Sequence, residues 1–356
     1  MFKVVGVFLI TLSLLGQTHT KVPKISREDF SVISDNNIRI FVREVRTTDS
    51  DAKKKVPVLL LHGARVPGIP SFDLLVPGGS LAADLAAAGH TIYIMDARGY
   101  GRSTRPSEMD QPPENNPPLV RSSEVVRDVA AVVETIRQRL NVKRVALLGW
   151  ATGGHWMGHY TSIYTDRISH LILYNSLYGA TPTHPTLGRG SDLEDPQHPG
   201  QFHRAKYGAY RFNTVDSVFA GWDRNIPIED KSLWRDPVVA TALRQATLDS
   251  DTTSSQRNPA TFRAPTGALE DSFYLATGRQ LWDASLIRAR TLILRSERDF
   301  WTRPEDPKQL AEHLVYAAQV RTVTIPEATH FVHLDRAERG RERFLQEVLS
   351  FLAESN

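Results

Sequence analysis

Residues 147–156 read Leu-Leu-Gly-Trp-Ala-Thr-Gly-Gly-His-Trp, an apolar strand running into a glycine-rich turn. Gly149, Ala151 and Gly153 take the fixed positions of the pattern G-x-S-x-G, with alanine where the pattern has its serine. Such a turn serves nucleophilic attack, because a sharp strand-to-helix corner holds its apex residue in a strained conformation that exposes the side chain. Glycines two before and two after the apex let neighbouring backbone pass close. The helix that follows aims its N-terminus at the site and favours developing negative charge. Everything but the hydroxyl is present. A methyl cannot attack, the chain has no cysteine to substitute, and Thr152 is expected to face away because the corner exposes only its apex.

Acids and bases that could serve this turn lie near the C-terminus. Glu297 and Asp299 both follow the apolar run Leu292-Ile293-Leu294, and a surface ion pair with Arg295 or Arg298 is the plain alternative for either. His330 and His333 follow the last expected strand. Their H-x-x-H spacing suggests a metal, but no further ligands stand nearby, so no metal site is assigned. No cofactor is called for.

The elements that would position these residues alternate along the chain. Phe30–Ser34 and Ile38–Val45 flank the turn-rich Asp35-Asn36-Asn37 and suit a hairpin. Val56–Leu61 is a continuous apolar run of the kind buried on both faces of a sheet. Ser80 can cap a helix over Leu81–Ala88, ended by Gly89, before the strand Thr91–Met95. Ser122–Leu140 is the clearest helix, with Val126, Val129, Val133, Ile136 and Leu140 at spacings of three and four. Strands Val145–Leu148 and Ile168–Tyr174 bracket a helix over Gly154–Tyr164. Strand Thr291–Leu294, a helix over Pro307–Leu314, strand Arg321–Ile325 and a final helix through Phe344, Val348 and Leu352 complete the alternation. Repeated β-α-β units demand a mainly parallel sheet covered by helices on both faces.

From 179 to 284 the alternation stops. This Pro- and Trp-containing block reads as short helices and loops without buried strands, an insertion over the carboxyl ends of the sheet. Residues 21–178 and 285–356 form the core and 179–284 a mostly helical cap. Trp222, Trp234, Tyr207, Tyr210 and Phe212 either line a pocket or form the cap's own core.

At 356 residues, 41% hydrophobic and 23% charged, the chain has the makeup of an ordinary globular protein. A net charge of +3, with no basic block beyond Lys53-Lys54-Lys55, gives no reason to expect a nucleic-acid partner. Met1-Phe2-Lys3, the apolar run VVGVFLITLSLLG and polar residues to Thr20 have the layout of a secretory signal peptide over residues 1–20. The run is short of the roughly 20 apolar residues a membrane span needs, so a secreted or periplasmic protein without an anchor after cleavage is expected.

Four motifs in this order give the chain its likeness to a known family. They are Leu61-His62-Gly63-Ala64, the turn Asp96-Ala97-Arg98-Gly99-Tyr100-Gly101-Arg102-Ser103, the stretch around Ala151, and the pair Asp299 and His330. Together they resemble the α/β-hydrolase family, over nearly everything after residue 20. The resemblance implies an α/β fold with a mainly parallel sheet and a cap. It implies Asp299 over Glu297 as the acid, His330 as the general base, and the position of Ala151 as that of the nucleophile. The amides of Ala64 and Thr152 would face an oxyanion, with Arg65 able to shift the first donor by one residue. His62, Arg65, Trp150 and Trp222 are the candidate substrate-binding residues. The Asp96–Ser103 turn is assigned a structural role.

The function implied is hydrolysis of a carboxylic ester or lactone of small size by a Ser-His-Asp triad, here with alanine in the serine's place. Loss of a triad serine costs about 10⁶ in kcat, so the chain as written is expected to bind substrate and barely turn it over. Two alternatives stand beside this: a natural non-catalytic ligand-binding protein, and a non-hydrolytic enzyme, a lyase or cofactor-free oxygenase, using His330 as base. His155 and His159 read as packing or pocket residues.

Overall fold

The structure, a computed structural model, describes residues 23–48, 55–179 and 182–354, and the expected signal peptide lies outside them. The chain opens with the expected hairpin, β1 (Ile25–Ile33) and β2 (Arg39–Thr47), joined by a short 3-10 turn at Asp35–Asn37. Then come β3 (Val58–Leu61), α1 (Gly68–Phe72), α2 (Leu81–Ala87), β4 (Ile92–Met95) and α3 (Ser122–Leu140). After them follow β5 (Val145–Trp150), α4 (Thr152–Ile163) and β6 (Ile168–Tyr174). The segment up to β9 holds α5 (Arg204–Tyr207), β7 (Tyr210–Asn213), α6 (Val215–Asp223), α7 (Pro237–Asp249), β8 (Phe262–Pro265) and α8 (Gly267–Ala276). The chain closes with β9 (Arg290–Arg298), α9 (Glu305–His313), β10 (Val320–Thr329) and α10 (Arg341–Leu352).

Eight strands form one sheet in the order β1-β2-β4-β3-β5-β6-β9-β10. The pairs β1–β2 and β2–β4 are antiparallel, and the rest are parallel. The continuous apolar runs divide between the two faces with period two. Val58, Leu60, Ala146, Leu148, Ile172 and Tyr174 enter one core, while Leu59, Leu61, Val145, Leu147, Leu171 and Leu173 enter the other. Helix α3 lays Val125, Val126, Val129, Val132, Val133 and Ile136 into the second core. Its start is fixed by the Arg121 amide donating to Glu124, and its end by Asn141 in the left-handed region. Ser80 caps α2 by accepting from the Ala83 amide at 2.9 Å.

This order sets the site. From β3 the chain steps one way to β4, then crosses to β5 on the other side, so β3 and β5 flank the point where strand order reverses. Open α/β sheets bind ligands outside the carboxyl ends of strands at such a point. There the register pairs Leu61 with Gly149, bringing His62-Gly63-Ala64 beside the Ala151 turn.

The cap region departs from expectation in one respect. Residues 210–213 and 262–265 pair as a small antiparallel sheet, Tyr210 opposite Pro265 and Asn213 opposite Phe262. Each strand is only four residues long and the two are far apart in sequence, so neither carries a legible periodicity. Among the described residues no helix is long and apolar enough to cross a membrane.

Candidate active site

The corner between β5 and α4 is built as its glycines require. Ala151 sits at φ 52°, ψ −117°, a region L-residues rarely enter, and its amide donates to the Tyr174 carbonyl at 3.0 Å. A Cβ on Gly149 would lie 2.5 Å from the Gly153 carbonyl oxygen, and one on Gly153 would lie 2.3 Å from that of Leu61. Only glycine lets these strands and the helix start close this tightly. A Cβ on Gly63 would stand 3.5 Å from the Ala151 methyl, so the 62–64 loop runs along the apex.

His330 follows β10 directly, and Asp299 follows β9, its parallel neighbour. His330 Nδ1 lies 2.6 Å from Asp299 Oδ1. Asp299 also accepts from the amides of Trp301 and Thr302, both at 3.0 Å, and from the Thr302 hydroxyl. Burial alone would push this carboxyl up, but His330 and the Thr302 and Trp301 donors overcome it and hold it below the ordinary value. An ionised carboxylate at this distance can only accept, so Nδ1 is the donor in this pair. Glu297 is spent elsewhere, accepting from the Glu327 amide at 2.7 Å.

The loop that carries His330 is pinned from three sides. Its carbonyl accepts from Trp150 Nε1 at 3.0 Å and Asn175 Nδ2 at 3.1 Å. Asp335 accepts from the Thr329 amide at 2.9 Å, from the Thr329 hydroxyl, and from Trp222 Nε1 at 2.8 Å. Burial raises the Asp335 carboxyl to about 6. His333 turns away from His330 and meets the Tyr174 hydroxyl at 3.2 Å. Among the described residues no group of three or more side chains is arranged to hold a metal ion.

The amides of Ala64, Arg65 and Thr152 find no acceptor among the described residues, while the carbonyls around them are held. His62 Nδ1 meets the Gly63 carbonyl at 2.7 Å, and the Tyr100 hydroxyl donates to the Ala64 carbonyl at 2.9 Å. In a trans peptide the next N–H points opposite the carbonyl, so these two contacts orient the Ala64 and Arg65 amides. Thr152 begins α4, and its own hydroxyl is buried without a partner and makes no bond to His330. The Asp96–Ser103 turn is a brace. Asp96 accepts from the amides of Gly68 at 2.7 Å and Arg102 at 2.9 Å, while Arg98 pairs with the buried Asp128.

One cavity of about 310 Å³ brings Ala64, Arg65, Trp150, Ala151, Thr152 and His330 together. His62 is not among its lining residues. The ring is fully buried, both its nitrogens are engaged, the second by the Ala97 amide at 3.1 Å, and burial lowers it to about 4. Its hydrogen bonds are with backbone, and it holds the Gly63 peptide. Trp222 likewise lies off the cavity lining. It is fully buried, stacks on Phe331 and donates to Asp335, a core role that follows from its large apolar ring and its need for one acceptor. Trp234, Tyr210 and Phe212 also lie off the cavity, whereas Tyr207 lines it. His155 is buried and accepts from Trp282 Nε1, and His159 bonds Ser122, so both are packing residues. Sequence reasoning missed Arg211, Arg224, Phe300 and Trp301 as lining residues. It also missed Asn175, whose bonds to Ser296 and the His330 carbonyl span more than 100 residues, and Asp335, whose local bonds to Thr329 carry no sequence motif.

A family described as alpha/beta hydrolase fold matches residues 56–337, most of the chain. Among curated proteins, the (lyso)-N-acylphosphatidylethanolamine lipase of Homo sapiens is 28% identical over 141 residues, 39% of this chain and 36% of that protein. The chain thus aligns with little more than a third of the curated relative's length. Among solved structures, the enol-lactonase from Burkholderia xenovorans LB400 superposes with a TM-score of 0.57 at 18% identity, covering 91% of this chain and all of that one. A thermophilic esterase from Thermogutta terrifontis gives 0.54 at 17%, covering 91% of this chain and 98% of that one. At such identities these likenesses speak for the fold. With the β3 loop, the β5 corner and the two strand-end residues in their places, the chain belongs to the alpha/beta hydrolase fold family.

Proposed function

We propose that the site is that of a serine hydrolase for carboxylic esters or lactones, with Ala151 standing where the nucleophilic serine belongs. The observation that carries this reading is the backbone of Ala151 itself. A strained, positive-φ apex costs about 1–3 kcal/mol and persists only where the surroundings hold it, which they do here at the edge of a cavity shared with His330. With a hydroxyl at that Cβ, His330 Nε2 takes its proton as the oxygen attacks the acyl carbon, then returns it to the leaving group. Asp299 stabilises the imidazolium. The unspent amides near the apex, Ala64 or Arg65 together with Thr152, receive the oxyanion, aided by the N-terminus of α4. The chain with alanine binds substrate and turns it over negligibly. We place it outside the cytoplasm, on the strength of the basic, apolar and polar pattern of residues 1–20.

The test is Ala151→Ser assayed against activated esters, lactones and amides. A gain of 10³-fold or more over the parent on an acyl substrate is expected, within the roughly 10⁶ a triad serine supplies. No gain on any of them overturns the reading and favours chemistry that needs His330 but no nucleophile, or binding alone.

A further inference from the structure

The cavity over Ala151 holds three arginines, Arg65, Arg211 and Arg224. Among the described residues none of them pairs with a carboxylate. Arg211 Nε is buried without any hydrogen-bond partner. Arg65 makes only long contacts, 3.4 Å, to the Ser217 carbonyl and hydroxyl. Arg224 is exposed and lies over the Phe300 ring at 4.9 Å, and that ring is itself 4.9 Å from His330. The other charged group on the cavity wall is Asp192. Its side chain is 93% exposed and its nearest cation is Lys206 at 3.8 Å, so it does not neutralise the cluster.

Three like charges around one small space repel one another, and a buried guanidinium without acceptors is costly. The cost shows in Arg65, lowered to about 9 first by burial and then by Arg211 and Arg224. Arg211 is lowered too, by burial. A neutral ester gives this arrangement nothing. An anion supplies the missing acceptors, and charge-assisted bonds from a planar guanidinium fork to a carboxylate or phosphate are among the strongest a site can make.

We propose that the substrate carries a second, anionic group, a carboxylate or phosphate, held by Arg211 with Arg65 and Arg224 while its acyl carbon lies at Ala151. This rests on the acyl-hydrolase reading above and narrows its substrate class.

The parent chain, which turns substrate over negligibly, allows binding to be measured directly by calorimetry. The probes are mono-(4-nitrophenyl) glutarate, its methyl ester, and the matching 4-phosphonobutyrate ester. An anionic probe is expected to bind at least about tenfold more tightly than the methyl ester, with the advantage shrinking as salt rises. Whichever anion binds better assigns carboxylate or phosphate. Arg211→Gln is expected to cut the anionic-to-neutral ratio at least about tenfold. If that variant fails to fold, Arg224→Gln, at an exposed position, should cut it in the same direction. Equal affinity for the methyl ester, or a ratio unmoved in a folded variant, overturns the inference. The two readings fail separately. Ala151→Ser turning over the anionic and neutral probes without charge preference sinks only the anion site, whereas charge-selective binding without turnover sinks only the hydrolase.

Discussion

His330 Nδ1 lies 2.6 Å from Asp299 Oδ1, each residue standing just past the carboxyl end of one of two neighbouring parallel strands. On the proposed hydrolase reading, Asp299 is an orienting group. It holds one tautomer of the imidazole and is itself kept ionised by three further donors from Trp301 and Thr302. In the Ala151→Ser background, Asp299→Asn should lower kcat by about 10⁴ while leaving KM within a few-fold. Steady-state kinetics checks this. A loss that falls on KM alone would make Asp299 a binding residue.

The apex strain predicts an effect on stability with no reference to activity. Glycine at position 151 relieves the positive φ, at a smaller cost in unfolded-chain entropy. Ala151→Gly should therefore stabilise the fold by about 1 kcal/mol. Gly153→Ala should do the opposite, by about 2 kcal/mol or more, since its Cβ would meet backbone oxygen at 2.3 Å. Urea unfolding midpoints measure both. An Ala151→Gly variant less stable than the parent would contradict a strained apex.

Tyr100 holds the Ala64 carbonyl. In the Ala151→Ser background, Tyr100→Phe should lower kcat about tenfold with little change in KM, as a loosened oxyanion donor does. A fall confined to thermal stability would assign the hydroxyl to the fold alone.

Asp335 gives a pH dependence with a definite sign. Its carboxyl is raised in the fold to about 6 by burial, so the folded chain keeps a proton that the unfolded chain releases near 4. That contribution is complete below the unfolded value and is lost as pH rises through 6. Stability measured for Asp335→Asn relative to the parent should therefore improve between pH 4 and 6, by on the order of 1–3 kcal/mol. A difference that stays flat over this range would show that Asp335 titrates normally.

What the sequence made legible follows from how local each signal is. The span of α3 was readable because its valines repeat with helical period, and β6 because Leu171–Tyr174 is a continuous apolar run. The β5 corner was legible because its glycines answer to contacts within a few residues and one neighbouring strand. The surroundings of His62 and Trp222 are not legible for the opposite reason. Whether a histidine meets substrate or a backbone carbonyl, and whether a tryptophan lines a cavity or stacks on Phe331, depends on partners that sequence spacing does not reveal. Arg211 carries no motif at all. Its importance comes from what fails to pair with it once α5, β7 and α6 close over the sheet.

Intact-protein mass spectrometry after treatment with a serine-directed fluorophosphonate reads the nucleophile position directly. Ala151→Ser is expected to take up one phosphonyl group, mapped to position 151, and the parent none. Adding His330→Ala to that variant should slow labelling by orders of magnitude. Labelling of the parent, or equal labelling with and without His330, would contradict the hydrolase reading.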